Sequence, residues 1–143
     1  MFSAQELSYL QSQPLMRIGT VAGSGQVDVD AVMFEFDGAR FFIGGVNLAG
    51  TRKYKNIAGG QTLVSLLVDD LATVQPWEPR GLKVHGRAAI VQRDAGRFGP
   101  GAYFAVTPLV SWSWGIEGPV FVAGTFCTHK IVWPGAEAGD GGT

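Results

Sequence analysis

Apolar positions along the chain fall mainly in short runs with two-residue alternation, punctuated by glycine, a pattern that predicts strands and tight turns. Runs 16–22 and 27–36 are rich in β-branched and apolar residues, and Gly23-Ser24-Gly25-Gln26 between them is a hairpin signal. Asp37-Gly38 marks a second tight turn into run 40–45, so three antiparallel strands in a meander are expected. Run 62–68 reads as a buried strand from its Leu and Val content. Run 82–91 reads as another, with Lys83, His85 and Arg87 on the face opposite Val84. Further β-like runs are 102–107 and 119–122, with Val110-Ser111-Trp112-Ser113-Trp114-Gly115 between them. No internal repeat is visible.

Two stretches break this pattern. Ser3 and Glu6 have capping-box spacing, Phe2 and Leu7 can form a hydrophobic staple, Leu7 and Leu10 share a face, and Pro14 ends the segment, so a helix opens the chain. Stretch 50–58 lacks proline and β alternation and is followed by Gly59-Gly60, which predicts a short helix linking the third strand to the fourth. Six or more strands with one early helix and one short crossover helix predict a mainly β fold. A closed antiparallel barrel is expected, because closure removes exposed sheet edges.

Composition adds the scale. A chain of 143 residues fits one domain, here 1–133, followed by a Gly- and Ala-rich tail, 134–143, predicted to be disordered. Apolar residues make up 46% and charged residues only 16%, with four Trp, a balance that favours a buried subunit interface or a sizeable ligand pocket. The net charge of -1 argues against a nucleic-acid partner, which requires a cationic field. No basic leader and no run of about 18 apolar residues is present, so a cytoplasmic protein without a membrane partner is expected. The single cysteine, Cys127, excludes an intrachain disulfide and is read as a small buried hydrophobe, with a catalytic thiol as the alternative.

Few residues carry candidate chemistry. Asp28 and Asp30 alternate with Val27, Val29 and Ala31 and so share one sheet face. A solvated strand face is the plain reading, with acid/base or metal work as the alternative. Trp112 and Trp114 also share a face, in core or dimer packing or as a stacking wall over a bound ring. His85 and His129 stand alone and are read as structural. Between the two middle strands, Gln75-Pro76-Trp77-Glu78-Pro79-Arg80 forms a rigid aromatic loop. The densest cationic cluster is Thr51-Arg52-Lys53-Tyr54-Lys55-Asn56, where a strand leaves the sheet and a helix begins. Its hydroxyl, charges and helix N-terminus suit a phosphate, against the alternative of a solvated helix face. Gly44-Gly45 just before it would let a planar ligand approach the backbone closely.

These residues, taken in order, resemble a known family. Arg17-Ile18-Gly19-Thr20-Val21, a turn at Gly25, a strand ending near Phe34, Phe41-Phe42-Ile43-Gly44-Gly45, Thr51-Arg52-Lys53, Asn56 and the run 64–70 are similar to the pyridoxamine phosphate oxidase-like superfamily. Run 79–88 and Ser113-Trp114-Gly115-Ile116 are similar to its small oxidoreductases that use the deazaflavin coenzyme F-420. The likeness covers roughly residues 3–118. It implies an FMN-binding split barrel acting as a homodimer, with coenzyme F-420, or FMN as the alternative, in the subunit cleft. It also implies that Thr51, Arg52 and Lys53 hold the cofactor phosphate, with Asn56 in the same motif. Asp30, Val32, Gly44, Gly45 and Val46 would then face the ring, and Trp77 and Arg80 would be walls from the partner chain. Family members often carry proline where Val27 and Ala31 stand, and some carry arginine where Thr51 stands.

The implied activity is hydride transfer to or from a small organic substrate, with the cofactor supplying the chemistry and no side chain required as acid or base. Two alternatives stay open. One is a non-catalytic carrier or sensor of flavin, deazaflavin or tetrapyrrole. The other is a true pyridoxamine 5'-phosphate oxidase, whose second phosphate site would fall to Arg87 and Arg93.

Overall fold

The computed structural model describes residues 1–135; Pro134 and Gly135 form a turn, and the rest of the expected disordered tail lies outside the described residues. In chain order the elements are helix α1 (Ala4–Ser12), strands β1 (Met16–Val21), β2 (Val27–Val32), β3 (Glu35–Phe36) and β4 (Phe41–Ile43), a 3-10 turn (Leu48–Gly50) and helix α2 (Arg52–Ala58). Long strands β5 (Leu63–Thr73), β6 (Glu78–Arg93) and β7 (Gly101–Trp114) follow, then short β8 (Phe121–Val122), β9 (Thr125–Phe126) and β10 (His129–Val132). The fold is mainly β. An eight-stranded antiparallel sheet has the order β2-β1-β5-β6-β7-β4-β3, with β10 also on β7, and β8 and β9 form a separate hairpin. Among the described residues no helix is long and apolar enough to cross a membrane.

The expected three-strand meander is corrected. β1 and β2 form the predicted hairpin, but β4 pairs with β3 on one side and β7 on the other, at the opposite end of the sheet from β2. Run 27–36 is therefore two strands that change partner across Met33 and Phe34. The cause is burial: Phe41, Phe42 and Ile43 are all buried, so β4 needs cover on both faces and a paired neighbour on both edges. No ladder joins β2 to β3 among the described residues, so the barrel predicted from edge avoidance is seen as a sheet whose two ends are consecutive in the chain.

Other boundaries move for similar reasons. β5 is buried on one face only, through Val64, Leu66 and Val68, while Leu63 is 52% exposed. β7 runs unbroken through the stretch expected to be a connection, because Val110, Ser111 and Trp112 pair with both β6 and β10. Pro79 and Arg80, read as loop, belong to β6. The two carboxylates of β2 are half-buried, and the exposed face is the apolar one: Val27 and Val29 are 67% and 66% exposed. Cys127 is only partly buried, correcting its reading as a core residue.

The helices dock as their sequences direct. The capping box at α1 forms, with the Ser3 amide donating to Glu6 Oε1 at 2.9 Å and the Glu6 amide to Ser3 Oγ at 3.2 Å. Phe2 then packs on Phe36, Phe41 and Trp133, in a core that includes Met16, Ile18, Val84 and Phe104; burying each such side chain stabilises by about 1.5–3 kcal/mol. The C-terminal end of α1 is held to β5 and β6 by an ionic group. Arg80 donates to both oxygens of Asp70 at 2.9 and 2.5 Å and stacks 5.1 Å over the Tyr9 ring, whose hydroxyl donates to Asp70 at 2.9 Å.

Two outcomes are expected. Asn56 is buried and donates from Nδ2 to Thr20 Oγ1 at 3.0 Å, tying α2 to β1, so Asn56→Ala should cost about 1–3 kcal/mol in urea unfolding by stranding a buried hydroxyl. Unchanged stability would refute that tie. The Arg80 hydrogen bonds hold the Asp70 carboxyl below the usual aspartate range, against a smaller upward push from burial. A depressed folded pKa contributes stability that is full above the unfolded value of about 3.9 and is lost as pH falls through the folded value. Asp70→Asn should therefore lower stability at neutral pH by about 1 kcal/mol, modest because both side chains are partly solvated, and should flatten the loss of Tm below about pH 4.

Candidate cofactor site

The cationic cluster forms where the 3-10 turn hands the chain to α2. Thr51 is the helix N-cap: its hydroxyl accepts from the Tyr54 amide at 3.3 Å and donates to the Leu48 carbonyl at 2.6 Å. The cap fixes the helix start, but the single hydroxyl proton is already used. Beyond it, Tyr54, Asn56 and Ile57 turn inward, with Tyr54 beside Phe104, while Arg52 and Lys55, three apart, face solvent.

Lys53 reaches back to the sheet and donates to Asp30 Oδ2 at 3.2 Å. The Lys53 side chain is only 12% exposed, against 41% for Asp30, so a largely buried lysine is anchored on the rim of β2. An ammonium has three donors, and one goes to Asp30. The pair explains why Asp30 sits on the inner face of β2: its carboxylate offsets a charge that would otherwise be poorly hydrated. Sequence alternation placed Asp30 on a face with Asp28 but gave no sign of this partner.

The glycines before the turn serve packing as well as access. A Cβ on Gly44 would lie 2.6 Å from Tyr103 and 2.9 Å from Phe98, so Gly44 is buried under those rings. Gly45 and Val46 instead line a recess of about 430 Å³ with Asn47, Leu48 and residues 98–103, which run from the turn before β7 into its first residues, and Val46 is 97% exposed. Val32 points into the core, leaving only its backbone for a ligand. Asn56 is turned to Thr20, as above.

Within one chain the structure thus brings Asp30, Thr51, Arg52 and Lys53 together, with Gly45 and Val46 just before the turn that leads to them. Trp77 and Arg80 are elsewhere. They line a groove of about 400 Å³ with Pro119, Val120 and Phe121, and none of its lining residues belongs to the 44–56 segment. Trp77 is 59% exposed. Trp112 is boxed by side chains: Lys83 at 4.7 Å and Lys130 at 5.9 Å from its ring centroid, and His85 edge-on at 4.7 Å. Arg93, a spare cation by sequence, pairs with Glu35 at 2.6 Å and stacks on Phe42 and Tyr103. The 98–103 wall of the recess was missed by sequence reading, since Phe98 and Gly99 lie in a turn without a motif.

The chain is similar to known proteins. Residues 3–110 match the family model described as pyridoxamine 5'-phosphate oxidase. A 5a,11a-dehydrotetracycline/5a,11a-dehydrooxytetracycline reductase of Streptomyces rimosus is 30% identical over 122 residues, 82% of this chain and 85% of that protein. Among solved structures, an F-420 reductase superposes with a TM-score of 0.60 at 23% identity, covering 78% of this chain and 98% of its own. The heme storage protein HutZ of Vibrio cholerae superposes with a TM-score of 0.58 at 16% identity, covering 76% and 91%. Structural identities this low carry the fold alone, but the family match runs from α1 into β7 and includes both helices, and on that ground the chain belongs to the pyridoxamine 5'-phosphate oxidase family.

Proposed function

We propose that this protein is an oxidoreductase that binds a deazaflavin of the coenzyme F-420 type, with FMN as the competing cofactor, and passes hydride to or from a small organic substrate. The observation that carries the reading is the Arg52–Lys53 cluster at the start of α2, three residues along the chain from Ala49, which lines the recess with Gly45 and Val46. Arg52 is exposed, with a planar fork of donors suited to phosphate oxygens, and Lys53 keeps donors beyond the one given to Asp30. The donor chemistry fits a phosphate-bearing cofactor, with Thr51 acting by fixing the turn. The cofactor, when bound, supplies hydride chemistry; the chain's own residues hold its phosphate, shape the wall at residues 98–103 and exclude water. Similarity to proteins described as reductases supports this class. The pairing and stacking of Arg93 count against a second phosphate site and so against a pyridoxamine 5'-phosphate oxidase proper.

The reading takes the sheet as a split barrel closed through Met33 and Phe34, and takes the working unit as a homodimer. Val27, Val29 and Ala31 are exposed on β2, beside Gly19 of β1, which is paired to Val29 on one side and Ser65 on the other. An exposed apolar strand face of this kind is what a second copy would cover. In such a pair Trp77 of one chain would wall the cluster at 51–53 of the other, while Arg80 stays committed to Asp70.

Apo-protein titrated with coenzyme F-420 and with FMN, followed by tryptophan quenching, should bind the first more tightly. Arg52→Ala and Lys53→Ala should each weaken binding at least about tenfold, roughly 1.4 kcal/mol. Unchanged affinity in both variants would sink the phosphate assignment, and bound cofactor that no acceptor reoxidises would favour a carrier. Val29→Lys should halve the particle mass seen by light scattering; a wild-type monomer would overturn the dimer.

A further inference from the structure

At the end of β7 remote from the 51–53 cluster, three distant parts of the chain meet. Glu6 of α1 is fully buried, with its side chain 1% exposed. Its Oε1 accepts from the Ser3 amide, while Oε2 accepts from the Ser113 hydroxyl at 2.6 Å and faces His129 Nδ1 at 3.2 Å. Glu117 Oε2 lies against the same nitrogen of His129. One donor atom from each of Glu6, Glu117 and His129 falls within 4.8 Å of the other two. A recess of about 230 Å³, lined by Ser113, Glu117, Cys127, Thr128 and His129, opens onto the group.

An ion pair alone is a poor account of this geometry. Nδ1 carries at most one proton, yet two carboxylate oxygens converge on it. Even a protonated His129 leaves the three groups with a net negative charge, and one of the carboxylates has no access to water. A divalent cation removes both problems, since it accepts an imidazole nitrogen and two carboxylate oxygens at once. The Ser113 hydroxyl and the Ser3 amide already fix the Glu6 carboxylate from behind, as outer partners of a ligating carboxylate do.

We propose that Glu6, Glu117 and His129 form a binding site for a divalent transition metal ion of the zinc or manganese class, with its remaining positions open to the recess. The site is independent of the cofactor reading. Its ligands come from the first helix, the turn after β7 and the last strand, so a bound ion would staple both ends of the chain to the sheet.

Metal-stripped full-length protein titrated with Zn²⁺ should bind one ion per chain, and Co²⁺ in its place should develop visible absorption bands of a nitrogen- and oxygen-ligated ion. At about a hundredfold excess over Kd, Tm should rise by roughly 5 °C or more. Glu117→Gln and His129→Ala, both at exposed positions that leave the capping box intact, should each weaken binding at least about tenfold and abolish the cobalt bands. Ser113→Ala should weaken it less while keeping the bands. No binding by wild-type protein with a native circular dichroism spectrum would overturn the proposal. So would binding that Glu117→Gln and His129→Ala leave unchanged.

Discussion

The segment from Val27 to Phe36 has to serve both ends of one sheet. Its first part lies on β1 and its last two residues on β4, and only Met33 and Phe34 separate them. Because β2 and β3 are the outermost strands of the order, this short span sets how far the sheet must curl. The same span positions the candidate site. Asp30, two residues before β2 ends, is held where Lys53 of α2 can reach it, and α2 is fixed to the neighbouring strand by the buried Asn56–Thr20 bond. Sheet curvature and the geometry of the candidate site therefore share one cause.

Charge is used sparingly and in fixed places. Arg93 spans Glu35 and two aromatic rings, Arg80 braces Asp70 against α1, and Lys53 answers Asp30. Each cation ties a strand or helix end to a neighbour, where an unpaired charge would be costly and a solvated one would add little. Arg52 differs in facing solvent at the head of α2. Structural use of Arg80 and Arg93 narrows the cations available for recognition, and so gives weight to the cluster at the 3-10 turn.

Local chemistry was legible in the sequence and long-range pairing was not. The capping box at Ser3 and Glu6, the hairpin at Gly25, the stop at Gly59 and the alternation of Lys83, Val84 and His85 all follow from residues a few positions apart, and all are present. The partner change at Met33 has no local signal, because Val27 to Phe36 reads as one continuous β run. Which face of β2 is covered is hidden from the sequence for a related reason. Alternation tells which residues share a side, but only the rest of the fold tells which side is covered. Asp30 and Val32 fell on the inner face, and the valines fell outside. At the site, the motif around Thr51 marked the right turn, whereas the Phe98 to Tyr103 wall and the partner of Asp30 are products of tertiary packing alone.

The exposed valines of β2 return the argument to composition. A chain with 46% apolar and 16% charged residues leaves apolar side chains at the surface in several places. Val27 and Val29 stand on the β2 face, Val46 stands at the mouth of the recess, and Trp77 walls a separate groove. Leaving about 25 cal/mol per Å² of such surface unburied at several places in a domain this small is a standing cost. On the reading proposed above, the meeting of two chains around a planar ligand would cover the part of this surface that lies on β2 and at the recess, and the Trp77 groove would remain a separate feature of each chain.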